Sequence, residues 1–277
     1  MRISIFQSRT GIDPLANAAA LVDAIKQAKA GGADILFTPE MSGLLDRDRS
    51  RAAPNLHDDA GDPVLAAVRR AAKEKRIWVH LGSLALRPDA GDDTHLANRG
   101  FLIDDQGDVR ARYDKIHLFD VDLPTGESWK ESAAYAPGKR AVVANTPWLS
   151  IGLAVCYDLR FPDLFRALTN AGATLLSVPA AFTVPTGKAH WHVLMRARAI
   201  EAGAFVVAAA QSGQHEDGRQ TYGHSLVIDP WGEVILDMGQ ENGVGFADID
   251  PAQVEAVRAR IPVIAHRRAI PEPEVIP

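Results

Sequence analysis

The chain has 277 residues, 47% of them apolar and 23% charged, fractions that describe a folded globular protein and exclude a largely disordered one. Thirty Lys and Arg against 35 Asp and Glu leave a formal net charge of −5, so no diffuse attraction to nucleic acid or to anionic lipid is expected. No apolar run approaches the roughly 20 residues needed to span a bilayer, and a single cysteine excludes an intrachain disulfide framework or a multi-thiolate metal centre.

Met1 to Phe6 goes directly into strand-like sequence, with no apolar signal core or cleavage site, which predicts a cytoplasmic protein. Residues 2–7 read as a first strand. Residues 15–30 read as a helix with Leu15, Ala18, Val22 and Ile25 on one stripe and Gly31-Gly32 as its stop. The run Asp34-Ile35-Leu36-Phe37-Thr38-Pro39-Glu40 is a buried strand that ends on a carboxylate. Residues 63–76 predict a second helix with Val64, Ala67, Val68 and Ala71 inward, followed by a strand over 77–86. Residues 97–115 form a hairpin turning at Asp105-Gln106-Gly107. The stretch 116–141 has little periodicity and carries Pro124, Gly126, Pro137 and Gly138, so it reads as one long loop, and loops of that length inside a domain are usually functional.

A strand over 149–155 runs straight into Cys156. A helix over 162–170, a strand over 173–179, a helix over about 188–203 and a strand over 204–210 follow. A second hairpin, 223–238, turns at Asp229-Pro230-Trp231-Gly232; then come a strand over 243–249, a short helix over 251–260 and a Pro-rich tail. The alternation of strands and helices predicts a layered α/β architecture. No linker or internal repeat divides it, so residues 1–262 read as a single domain and 263–277 as a tail.

Glu40, Lys115 and Cys156 each stand where a strand stops and a loop begins, the place where ligands collect in α/β folds. Cys156 lies between an apolar strand and Tyr157-Asp158-Leu159-Arg160-Phe161-Pro162. A thiol on such a turn points into a cleft, with the Tyr157 N–H facing the same space as an oxyanion donor. The competing reading is a buried cysteine acting as an inert small hydrophobe. Glu40, desolvated at the end of an apolar strand, acquires a raised pKa suited to a general base; the competing reading is an exposed loop carboxylate. Lys115 is either a cation beside an anionic intermediate or a solvated surface charge. His190 and His192, two apart on a helix, do not share a face and do not form a metal pair. His224 is either a base for Cys156 or a structural hydrogen-bonding group. Nothing matches a phosphate loop or a dinucleotide fingerprint. The run Asp46-Arg47-Asp48-Arg49-Ser50-Arg51 reads as a solvated face.

Taken together, three blocks resemble the nitrilase, or carbon–nitrogen hydrolase, superfamily. They are Phe37-Thr38-Pro39-Glu40, Tyr113-Asp114-Lys115-Ile116-His117-Leu118-Phe119-Asp120 and Gly152-Leu153-Ala154-Val155-Cys156-Tyr157-Asp158-Leu159-Arg160-Phe161-Pro162, which carry a Glu–Lys–Cys triad in the family's order. Ala189-His190-Trp191, Arg196 to Glu201, Tyr222-Gly223-His224-Ser225 and Asp229-Pro230-Trp231-Gly232 are similar to its later segments. Within the superfamily the blocks look most like the Nit branch, the amidases of deaminated glutathione and of ω-amides of keto acids. Residues 41–60 match nothing in that pattern, although they follow Glu40 where substrate-contacting loops lie.

The resemblance implies an α-β-β-α sandwich, two central β-sheets flanked by helices. It implies a homodimer or higher homo-oligomer, with the tail available for its contacts, and a small-molecule amide as partner, with no metal and no cofactor. Glu40 becomes the general base, Lys115 and the Tyr157 N–H the oxyanion donors, and Cys156 the nucleophile. A second glutamate after the lysine is implied as well, placed at Glu131 with Glu127 as the near alternative. Arg160 is assigned to a substrate carboxylate, and Phe182 and Thr186, in the loop after the strand over 173–179, to the acyl pocket. The rival readings are a nitrilase or N-carbamoyl amino-acid amidohydrolase of the same superfamily, a Cys–His hydrolase using His224, and a binding protein that kept the fold without turnover.

Overall fold

A computed structural model describes residues 1–88, 95–122, 126 and 128–276. Strand β1 (Arg2–Gln7) is followed by α1 (Pro14–Ala30), which Asp13 caps by accepting from the Leu15 N–H at 2.9 Å and which stops at Gly31. Its buried side chains are Asn17, Ala18, Leu21, Ala24, Ile25 and Ala28. Leu15, expected on the inner stripe, is 68% exposed, because it occupies the first turn and faces away from the sheet. Then come β2 (Ile35–Phe37), a single helical turn α2 (Arg49–Ala52), α3 (Pro63–Lys75), β3 (Trp78–Leu86), β4 (Ala97–Ile103) and β5 (Val109–Asp114).

The stretch expected to be one long loop holds a small hairpin, β6 (Asp120–Asp122) with β7 (Ser128–Lys130), and a 3₁₀ turn over Glu131–Ala133. Short irregular pairing of this kind leaves no hydrophobic period to read. The second half contains β8 (Val142–Asn145), β9 (Ser150–Leu153), α4 (Pro162–Asn170), β10 (Leu175–Ser177) and α5 (Val184–Ala202), then β11 (Phe205–Ala208), β12 (Ser212–Gln214), β13 (Gln220–Tyr222), β14 (Leu226–Ile228), β15 (Val234–Asp237), β16 (Gly243–Asp248) and α6 (Ala252–Arg260). Helix α5 starts four residues before the expected 188, because the fixed φ of Pro185 suits a first helical turn. Thr186 therefore sits on that turn and not in a loop.

Two six-stranded sheets form, in the orders β16-β1-β2-β3-β4-β5 and β15-β14-β11-β10-β9-β8. Each has three parallel strands (β1, β2, β3 and β9, β10, β11) extended by antiparallel ones. The two-residue period of a strand sorts side chains between layers. Ile3, Ile5, Ile35 and Phe37 join Ile151, Leu153 and Leu175 of the second sheet in one core. Leu36, Val79 and Leu81 point the other way, onto Leu21 and Ile25 of α1 and Leu65 and Val68 of α3. Phe165 and Leu168 of α4 and Trp191 and Met195 of α5 cover the outer face of the second sheet. The layers are thus helix, sheet, sheet, helix, as the resemblance implies. No helix among the described residues is long and apolar enough to cross a membrane. The tail lacks regular structure; Arg267 donates to Thr169 and Asn170 of α4, while Ile270, Val275 and Ile276 are exposed.

Candidate active site

Because the inner faces of the two sheets pack together, loops leaving each sheet meet at one end. Glu40 follows β2, Lys115 follows β5, and Cys156 and Ala181 follow β9 and β10. The approach to Glu40 is fixed by Gly82 of β3. A side-chain carbon there would stand 2.2 Å from the Thr38 carbonyl oxygen and 2.3 Å from that of Pro39, so only glycine lets the two backbones come this close. The Gly82 N–H donates to the Thr38 hydroxyl at 3.0 Å and so completes the contact.

Lys115, whose side chain is 2% exposed, donates to Glu40 Oε1 at 2.9 Å and to both Glu131 oxygens at 3.0 and 2.8 Å. Glu131 also accepts from the Phe119 N–H at 2.6 Å. Asn98, on β4, joins the two acids, its amide donating to Glu40 Oε1 at 2.9 Å and to Glu131 Oε1 at 3.1 Å. The second Glu40 oxygen accepts from the Ala181 N–H at 3.0 Å. The Cys156 thiol interacts with the same carboxylate. Glu40, Lys115, Glu131 and Cys156 therefore converge. Glu127 lies outside the described residues.

Cys156 adopts φ 48°, the left-handed region that a non-glycine residue occupies only when its surroundings enforce it. The enforcement comes from Asp158, a fully buried acid. Its carboxylate accepts from the Val155 N–H at 2.9 Å, the Tyr113 hydroxyl at 2.7 Å and the His117 N–H at 3.0 Å, and it pairs with the His117 ring at 2.7 Å. Tyr113 and His117 flank Lys115, so one carboxylate holds both the cysteine turn and the lysine segment. Tyr157 is the second residue of a 3₁₀ turn over Cys156–Arg160; the Cys156 N–H on one side donates to the Pro179 carbonyl at 2.9 Å and the Asp158 N–H on the other to the Val155 carbonyl at 3.1 Å, while the Tyr157 N–H between them has no acceptor inside the turn. Asn98 and Asp158 were not anticipated as site residues; Asn98 is a polar residue on the buried strand β4, and Asp158 sits in the turn after Cys156, where the sequence gives no sign of its partners.

The electrostatics follow from burial and the lysine. Burial pushes the Glu40 carboxyl up, but the Lys115 ammonium and hydrogen bonds from Lys115, Cys156 and Asn98 outweigh it, and the net shift is downward from 4.5. This corrects the expectation that desolvation would dominate. Burial and the nearby Glu40 carboxylate push the Cys156 thiol well above 9.0, so the resting nucleophile is a protonated thiol. Burial works against the Lys115 charge, yet Glu131 and Glu40 hold it firmly protonated, well above 10.5.

These groups open into a cavity of about 780 Å³, within the roughly 300–1,000 Å³ of pockets that enclose small organic ligands. Glu40, Lys115, Glu131, Cys156, Tyr157, Phe182 and Thr186 all line it. Arg160 does not. Its guanidinium lies over the Tyr157 and Phe182 rings, 5.9 and 5.6 Å from their centroids, and contacts His190 at 3.3 Å. Arg160 thus stands directly beside two residues of the cavity wall, and its assignment to a substrate carboxylate is kept as a proposal. Residues 41–56 contribute Met41, Leu44, Leu45, Arg47 and Arg49 to the lining, so the charged run there is a cavity wall and not only a solvated face; Asp46 is buried against Arg51.

His224 is turned elsewhere. Its Nδ1 pairs with Asp237 at 2.9 Å, its ring stacks on Tyr222, and it is not part of the cavity wall. Among the described residues, His192, His224 and Asp237 form one trio whose ligand atoms lie within 4.8 Å of one another and could hold a metal; Asp237 already pairs with both imidazoles. His190 points to Arg160 instead, so the two helix histidines diverge.

A carbon–nitrogen hydrolase pattern matches residues 2–259. The deaminated glutathione amidase of Yersinia enterocolitica is 38% identical over 270 residues, covering 97% of this chain and 93% of that protein. The human deaminated glutathione amidase is 38% identical over 268 residues, covering 96% of this chain and 82% of its own. Among solved structures, the C. elegans NitFhit protein aligns with a TM-score of 0.88 at 37% identity over 96% of this chain, which spans 65% of that longer one. A mutant of the amidase from Nesterenkonia sp. AN1, with acrylamide added at its active-site cysteine, aligns with a TM-score of 0.77 at 28% identity, covering 94% of this chain and 98% of that one.

Proposed function

The chain belongs to the carbon–nitrogen hydrolase family and is an amidase, and we propose that it hydrolyses a small carboxylate-bearing amide through a thioester on Cys156. Deaminated glutathione, named for the relatives, is the first candidate substrate; an ω-amide of a keto acid is the second. The observation that carries the reading is the meeting of an acid, an ammonium and a thiol from three strand ends, with Lys115 Nζ 2.9 Å from Glu40 Oε1 and the thiol on the same carboxylate.

The steps follow from the protonation states. Because the thiol rests protonated, Glu40 takes its proton as sulfur attacks the amide carbon. The carbonyl oxygen becomes an oxyanion between the Lys115 ammonium and the Tyr157 N–H. The C–N bond then breaks, the amine leaves with the proton Glu40 held, and an S-acyl enzyme remains. Water gives a proton to Glu40 and its oxygen attacks the thioester; the acid departs and the proton returns to sulfur. Glu131 keeps Lys115 charged and aimed, and Asn98 holds the two acids apart from direct contact with each other.

Hydrolysis of a panel containing deaminated glutathione, α-ketoglutaramate, an N-carbamoyl amino acid and a nitrile tests the reading. Turnover of an amide by the wild type, with Cys156→Ala falling by at least about 10³-fold, is the expected result. Turnover confined to the nitrile, or full activity in Cys156→Ala, overturns it. The exposed apolar side chains Val193 and Ile200 of α5 and Trp231 in the β14–β15 turn support a homodimer, which light scattering during gel filtration measures directly. A cytoplasmic site, tested by cell fractionation, completes the proposal.

A further inference from the structure

The acidic and thiol groups occupy one part of the cavity, and the rest of its wall is cationic. Among the described residues, Arg47, Arg49, Arg87, Lys130 and Arg219 line it against one further acid, Asp46. Asp46 is committed to Arg51 through hydrogen bonds of 2.7 and 2.8 Å. Arg87 donates to the Leu56 and Ala53 carbonyls and Arg49 to that of Ala133, contacts that position a guanidinium without neutralising it.

Two of these cations are arranged for a ligand. Arg47 and Arg219 both lie over the Trp129 ring, 5.4 and 5.2 Å from its centroid. They share a single acid, Asp217, which Arg219 Nε reaches at 2.8 Å and Arg47 Nε only at 3.8 Å. Two positive charges on one ring with one carboxylate between them leave an excess positive charge in a recess, where it is screened less than on an open surface. Arg47 makes no side-chain hydrogen bond to the described residues, so its planar fork is free to grip a carboxylate.

A continuous wall joins this pair to the nucleophile. The Tyr157 ring, next to Cys156, meets Phe119 at 5.1 Å, and Phe119 meets Trp129 at 6.4 Å. Trp129 stands two residues before Glu131 in the chain, and both line the cavity.

Resting on the amidase reading of this site, we propose that Arg47, Trp129 and Arg219 form a subsite for a carboxylate carried by the leaving amine. The substrate class is then an amide whose departing amine is peptide-like and ends in a carboxylate. The scissile bond lies at Cys156 and the far end at the arginine pair; in deaminated glutathione two residues, about 7 Å of extended chain, follow the cleaved bond.

Steady-state kinetics with a matched pair tests this: deaminated glutathione and the same molecule with its terminal carboxylate converted to a carboxamide. Arg219→Gln and Arg47→Gln should each lower the carboxylate-to-carboxamide ratio of kcat/KM by about tenfold, chiefly through KM, as expected for loss of a charged hydrogen bond outside the reacting centre. Arg47→Gln guards against misfolding, because its side chain is half exposed and makes only a long, 3.8 Å ion pair to Asp217 and a contact with the Trp129 ring. Arg219→Lys, which keeps the charge without the fork, should fall between wild type and Arg219→Gln. A ratio that stays within about twofold in both glutamine variants overturns the subsite and leaves the amidase reading standing. Wild-type protein that cleaves neither compound overturns both.

Discussion

Glu40 must hold two opposite properties, enough basicity to take a thiol proton and enough acidity to be ionised beforehand. Lys115 settles this by holding the carboxyl below its ordinary 4.5 while burial keeps the cysteine protonated, so the proton moves only as sulfur begins to bond. A base whose pKa is lowered stays available as pH falls, until its own pKa is crossed. The acid limb of kcat/KM should therefore lie below 4.5, with no inflection near neutrality. The same sign governs stability: a carboxylate with a depressed folded pKa stabilises the fold above its unfolded pKa, and that contribution is lost as pH falls through the folded one. Asn98 makes this arrangement tolerable by donating to both acids, which would otherwise face each other across one lysine. Asn98→Asp adds a third carboxylate there. It should raise the Glu40 pKa, shift the acid limb upward by roughly one pH unit and lower kcat about tenfold. An unmoved limb in a variant that folds normally would show that Asn98 does not govern the base. Glu40 and Lys115 could be read from their places at strand ends, but the sign of the Glu40 shift could not, because it depends on a cation 75 positions away in the chain.

The turn that carries Cys156 is a strained element held by a single buried acid. A left-handed backbone at a non-glycine residue costs roughly 1–3 kcal/mol, and Asp158 offsets it with hydrogen bonds to Val155, Tyr113 and His117. Asp158→Asn replaces one accepting oxygen with a donating amide, which faces the Val155 N–H, the Tyr113 hydroxyl or the His117 N–H without an acceptor. The expected cost is about 2–3 kcal/mol, seen as a fall of roughly 4–12 °C in Tm for a domain of this size. Below that transition the folded variant should alkylate Cys156 more slowly than wild type and show a reduced kcat, because the thiol is no longer aimed. A lowered Tm with unchanged alkylation would reduce Asp158 to a structural role. Elements with a strong hydrophobic period, such as α3 and the β4–β5 hairpin, were legible in the chain within a residue or two. The 3₁₀ turns and the β6–β7 pair were not, since each contains too few residues for a period and their shape is set by groups such as Asp158 and Glu131 that bind across the fold.

Sheet order was beyond the reach of local reading. The neighbours β16 and β1 lie at opposite ends of the sequence, yet they pair antiparallel over six residues and close the first sheet. Only after both sheets pack face to face do Glu40 and Lys115 from one, and Cys156 from the other, share a cavity. The same packing separates the charges of the whole protein. The molecule is acidic, with a formal charge of −5, but among the described residues the outer cavity wall carries five cations, and its one acid, Asp46, is bound to Arg51. An anionic substrate is thus repelled weakly by the general surface and drawn to the mouth, and both effects depend on salt, with the nearer cavity charges dominating once the substrate arrives. Raising ionic strength from about 0.01 M to about 1 M shortens the screening length from roughly 30 Å to 3 Å. Over that range kcat/KM for deaminated glutathione should fall by roughly threefold to tenfold, while that of its carboxamide counterpart, with one charge fewer, should fall less. A rise with salt would mean that the global negative charge, and not the basic wall, controls encounter.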